Sequence, residues 1–95
     1  MEIYLIFNYL AANIDDWKLL ARHLDVPERC IQDVDTKSQE TKAEKAYDVL
    51  MIWFYLWDRT KSIKDILVSA VKHESKPLAE EMCKLYNIAG IFNMF

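Results

Sequence analysis

Turn-forming residues are nearly missing from this chain: Gly90 is its one glycine, and Pro27 and Pro77 are its two prolines. A β-sandwich or barrel needs a turn signal about every 8–12 positions, so strands joined by tight turns are excluded. Helices joined by short loops are expected instead. At 95 residues the chain can bury one hydrophobic core, hence one domain. With 53% apolar and 28% charged residues, it has the composition of a folded globular protein and not of a disordered one.

Apolar residues recur at three- and four-residue intervals almost throughout, the period of amphipathic helices. Six are expected. The first covers residues 2–12. A second, capped by Asn13 or Asp15, aligns Trp17, Leu20, Ala21 and Leu24 on one face. A short third spans residues 27–34, with Pro27 in its first turn, where a missing N–H costs nothing. After a polar loop at 35–41 comes the longest, residues 41–57. Thr41 and Glu44 have capping-box spacing, with Thr36 and Gln39 as an earlier alternative. Ala46, Leu50, Trp53 and Trp57 form its inward stripe. The fifth, residues 62–73, points Ile63, Ile66, Leu67, Ala70 and Val71 inward. Ser75 caps the sixth, which buries Leu78, Ala79, Met82, Leu85 and Tyr86.

The chemistry of an enzyme is missing from this pattern. His23 and His73 are the only imidazoles, on charged helix surfaces, and no nucleophile, base and orienting group fall together. One glycine cannot make a phosphate-binding loop, and no Cys/His set has metal spacing. Neither an enzyme nor a cofactor, metal or small-molecule substrate is expected. Cys30 and Cys83 read as free thiols. A net charge of −3 argues against nucleic acid. Residues 1–10 are apolar but lack a basic leader, so neither a signal peptide nor a membrane span is expected, and the default location is cytoplasmic.

Beyond periodicity, Asp16-Trp17-Lys18-Leu19-Leu20-Ala21-Arg22-His23-Leu24 resembles the second helix of the death domain family, with its Trp, Leu-Ala-Arg and further Leu. Ile31 and Val34 match the short third helix. Leu50 and Trp53 match the Leu-x-x-Trp of the fourth, Ile63, Ile66 and Leu67 the fifth, and Ala79-Glu80 the start of the sixth. The resemblance implies an all-α, six-helix antiparallel bundle of Greek-key arrangement over residues 1–86, followed by a short apolar tail, 87–95. It implies a core containing Trp17, Leu20, Leu24, Ile31, Leu50, Trp53, Ile66 and Leu67. It also implies a non-catalytic module that binds other death-fold proteins, itself included, in apoptosis or innate immunity. No Arg-x-Asp-Leu motif of the effector type stands near the C-terminus. Departures are Asp25 where the family commonly has Gly, a more apolar fourth helix, and the tail.

Two kinds of surface are candidates for binding. Residues 25–35 carry Asp25, Glu28, Asp33 and Asp35 against Arg29, with Arg22 alongside; residues 59–76 carry Arg59, Lys61, Lys64, Lys72 and Lys76 against Asp65 and Glu74, with Asp58 at their edge. Opposite charge on one chain suits a head-to-tail contact. From Val49 to Trp57 every residue is apolar. Met51, Phe54 and Tyr55 lie off the inward stripe and are either covered by the first helix or exposed for self-association. The rival readings are another death-fold subfamily, a helical dimerisation domain, and a helix-turn-helix nucleic-acid binder.

Overall fold

In a computed structural model of the chain, which describes residues 2–89, six helices follow one another: α1 Glu2–Asn13, α2 Trp17–His23, α3 Glu28–Asp35, α4 Lys42–Leu56, α5 Ile63–Glu74 and α6 Lys76–Ala89. No strand occurs among the described residues. Four of the starts, those of α2, α4, α5 and α6, are fixed by a side-chain cap. The Thr41 hydroxyl accepts from the Glu44 N–H at 3.1 Å, and the Glu44 carboxylate accepts from the Thr41 N–H at 3.2 Å, the reciprocal bonds of a capping box. Ser62 and Ser75 accept from the N–H groups of Asp65 and Leu78, both at 3.2 Å, and open α5 and α6.

At α2 the cap is Asp16, neither Asn13 nor Asp15: its carboxylate accepts from the Leu19 N–H at 3.0 Å. Asn13 closes α1 instead, its amide donating to the Tyr9 carbonyl at 2.8 Å, while Asp15 stands exposed near Lys42. Of the expected tail, residues 87–89 continue α6 and residues 90–95 lie outside the described residues.

The helices do not pair in chain order. α1 lies against α4 and α6, α2 against α4 and α5, α3 against α4, and α5 against α6. This is the arrangement of a Greek-key bundle, and α4 has three of the other five helices around it. The core runs through all six: Trp17, Leu20, Leu24, Ile31, Leu50, Trp53 and Leu67 are buried beside Ile3, Ile6, Phe7 and Leu10 of α1 and Met82 of α6. Phe7 is fully enclosed and meets Trp53 and Phe54 edge to face, centroids 6.3 and 5.7 Å apart. Ile66 departs from the expected core. It is half-buried at the rim of a cleft beside Leu56 and Trp57.

The link between α2 and α3 explains the missing glycine. Asp25 has φ 60°, the left-handed region. The Val26 N–H donates to the Ala21 carbonyl at 3.0 Å and the Asp25 N–H to the Arg22 carbonyl at 3.1 Å, the paired bonds of a Schellman C-cap. Val26 is buried beyond it. Glycine is preferred there because it has no Cβ to clash, and Asp is among the few residues that tolerate the position. Asp25→Gly should therefore stabilise the domain by up to about 1 kcal/mol, a rise in Tm of about 4–8 °C. Asp25→Val should lower Tm, since a β-branched side chain resists this backbone. Thermal melts of the two variants check both.

Candidate interaction surfaces

The two charged regions differ in how far the protein neutralises them itself. In the acidic region, Glu28 pairs with Arg22 at 2.8 Å, and that carboxylate makes the Arg22 guanidinium hold its proton more tightly than usual. Asp35 lies 2.8 Å from the Lys18 ammonium and 4.0 Å from Lys45. The Lys18 hydrogen bond, above all, draws its carboxyl below the ordinary range. Asp25 and Asp33 are exposed and make no ion pair among the described residues, and Arg29 is exposed beside them. In the basic region, Lys61, Lys72 and Lys76 are exposed and likewise form no ion pair among the described residues. Lys64 is exposed on the first turn of α5.

Trp57 shapes the basic loop. At the end of α4 its indole N–H donates to the Lys61 carbonyl at 3.0 Å, and its ring stacks on Phe54. Arg59 lies over its face, 5.3 Å from the centroid. Asp58 turns back on the same loop to accept from the Thr60 N–H and hydroxyl, which hold its carboxyl below the usual range. The charged regions are not at opposite ends of the molecule: Asp25 and Lys61 line one cleft of about 240 Å³, with Trp53 at its base. Lys72 and Lys76 border a separate cleft between α5 and α6.

Met51, Phe54 and Tyr55 do not form one patch. Phe54 is half-buried against Phe7 and Trp57, and Met51 is half-buried; Tyr55 alone of the three is open, 89% exposed. The reason is angular. Residue 54 falls toward the α1 flank of α4, residue 51 lines a cleft beside α3, and residue 55 points away from the core. Leu56 and Leu5 are exposed apolar side chains that periodicity alone does not reveal.

Three further contacts join residues distant in sequence. The Glu74 carboxylate accepts from the N–H groups of Asp15 and Asp16, at 3.1 and 2.6 Å, and so seats the end of α5 on the start of α2. The neighbouring His73 stacks on His23 at the other end of α2, rings 4.4 Å apart and 6° from parallel. Near the start of α4, Lys37 lies between the carboxylates of Glu40 and Asp48, 4.0 and 3.4 Å away. The Glu40 Oε2 atom is shielded from water with no donor in reach. Hydrogen bonding to Asp48, then burial and the Asp48 charge, push the Glu40 carboxyl above its ordinary value.

The death domain family model matches residues 1–86. The chain is a member of the death domain family. No significant match was found among curated proteins or solved structures. As a death domain it is a protein–protein interaction module of signalling. Among the described residues no helix is long and apolar enough to cross a membrane, and no group of His, Cys, Asp and Glu is placed to hold a metal ion.

Two predictions follow from these side chains. Phe54→Glu should cost about 2–4 kcal/mol, because a carboxylate would displace the ring packed on Phe7. Tyr55→Glu should change stability by less than about 0.5 kcal/mol. Denaturant titration separates them. The second concerns pH. A carboxyl raised in the folded state adds stability that is fully present below its unfolded value and is lost as pH rises through the folded one. At neutral pH ionised Glu40 therefore works against folding. Glu40→Gln, which can donate to Asp48, should melt higher than wild type at about pH 7 and together with it at about pH 4.

Proposed function

We propose that this death domain assembles with other death-fold domains, a second copy included, to build signalling complexes of apoptosis or innate immunity in the cytoplasm. The contact we favour is head-to-tail: Asp25, Glu28 and Asp33 of one molecule face Arg59, Lys61 and Lys76 of the next. The observation that carries it is charge that no ion pair among the described residues takes up. Asp25 and Asp33 on one surface, and Lys61 and Lys76 on the other, make no ion pair among the described residues. A partner of opposite sign would answer both. Lys76 and Lys72 border the α5–α6 cleft, away from the cleft shared by Asp25 and Lys61, so the basic surface extends past its own acidic neighbour. Charge of this kind chiefly sets encounter rate and partner choice, and neither nucleic acid nor a small-molecule substrate has a role in this reading. Exposed Tyr55 and Leu56 favour a second one, a helical module that dimerises through α4.

Single rim pairs are worth only about 0–1 kcal/mol, so the test reverses several charges at once. Light scattering would compare wild type with Asp25→Lys/Glu28→Lys/Asp33→Lys, with Arg59→Glu/Lys61→Glu/Lys76→Glu, and with both sets combined. Each single reversal should abolish assembly, the combination should partly restore it, and raising salt from about 0.05 M to 0.5 M should weaken it. Assembly indifferent to salt and to both single reversals would rule out the charged contact. A stable dimer of fixed size would favour the α4 reading.

A further inference from the structure

The two flanks of α4 are treated differently. On one, Phe54 rests on Phe7 of α1, and Tyr47 shares a cleft with Ala11 and Ala12 of the same helix. On the other, Met51, Ile52, Tyr55 and Leu56 line a cleft of about 390 Å³ whose opposite wall includes Arg29 and Cys30 of α3. Among the described residues Arg29 is the one charged residue lining it. Tyr55 is 89% and Leu56 56% exposed, so the cleft is open and apolar along its whole α4 side.

The sequence contains a segment of matching chemistry. From Leu85 to Phe95 no residue is charged, and Ile91, Phe92, Met94 and Phe95 follow Gly90. Within one molecule this segment starts from the wrong place. α6 packs on α5 and α1, and α1 meets α4 on the Phe54 flank, away from α3. The main packing partners of α6 are α5 and α1, and those of α3 are α4 and α2, so the segment leaves from an element that does not border the cleft. A second copy is under no such restriction.

We propose that residues 91–95 of one molecule dock in the α3–α4 cleft of a second copy. Tail and cleft are different surfaces, so the contact is heterologous: each molecule offers both, and a bound pair still has one of each free. None of its residues belongs to the charged contact proposed above. The inference does not rest on that reading, and the two succeed or fail separately.

Cys30 supplies the test. Two single-thiol forms of the full chain are mixed and mildly oxidised, one keeping Cys30 with Cys83→Ser, the other carrying Phe92→Cys with Cys30→Ser and Cys83→Ser. A size tag on one form separates the mixed dimer from the two homodimers on a non-reducing gel. The mixed dimer should exceed either homodimer by about tenfold or more. Tyr55→Asp in the Cys30 form should return it to background while circular dichroism stays unchanged, because Tyr55 is exposed. A statistical distribution of the three dimers, or an equal yield when Ser38→Cys replaces Phe92→Cys, would overturn the proposal. So would a chain carrying both Cys30 and Phe92→Cys that closes on itself as a monomer, since the tail would then occupy its own cleft.

Discussion

Nine consecutive apolar residues, Val49 to Trp57, oblige α4 to be surrounded. An amphipathic helix needs one neighbour, whereas a helix apolar on every side must be covered from several directions. The chain meets this by returning to α4 three times: α1 covers the Phe54 flank, α2 packs beside Trp53, and α3 borders the Ile52 flank. Because these helices arrive from different parts of the chain, the bundle cannot be a simple up-and-down one. The packing around Phe7 expresses the same constraint. Its fully enclosed ring meets both Trp53 and Phe54, so the first helix is bound to the core through residues almost fifty positions away. Where coverage stops, at Tyr55 and Leu56, the surface changes from structural to available.

The last turn of α5 does comparable work for α2. A seven-residue helix is too short to persist unaided, since helix nucleation is costly and stability must come from tertiary contacts. Trp17, Leu20 and Ala21 supply the apolar part. The polar part comes from two adjacent residues: Glu74 takes the N–H groups of Asp15 and Asp16, and His73 stacks on His23. A carboxylate at the end of its own helix sits against the local dipole, but here it lies at the start of α2, where negative charge is favoured. The segment carrying the acidic residues is thereby tied to the helix leading into Lys76, which couples the geometry of the two charged regions.

What was legible in the sequence is what depends on near neighbours. Helix periodicity, the Thr41–Glu44 box and the Ser75 cap involve residues three or four apart, and they mark out the six elements. Asp25 was visible as an anomaly at a glycine position, and its φ of 60° supplies the cause. The cap of α2 was misplaced because Asn13, Asp15 and Asp16 are all capable acceptors, and only the register of α1 shows that Asn13 is already used. Contacts between distant residues were invisible. Charge counting treats Asp35 as available, yet Lys18 and Lys45 hold it. It also separates Asp25 from Lys61, which line one cleft. The stack of His23 on His73 spans fifty positions, and no spacing announces it.

These differences change what a surface can do. Had the acidic region kept all four carboxylates free, its attraction for a partner would have been large and nonspecific, effective at long range and sensitive to salt. With Glu28 and Asp35 engaged, Asp25 and Asp33 remain, and in the proposed contact two charges fixed on a capped loop and a short helix would discriminate by position more than by strength. Selectivity of that kind needs something else to supply affinity, because exposed ion pairs contribute little once side-chain ordering is subtracted. The open apolar side of α4 has the right character for that role: Tyr55 and Leu56 lose unfavourable contact with water whenever they are covered, at any ionic strength. A surface that divides orientation and affinity between charged and apolar residues can accept one partner geometry while remaining soluble alone.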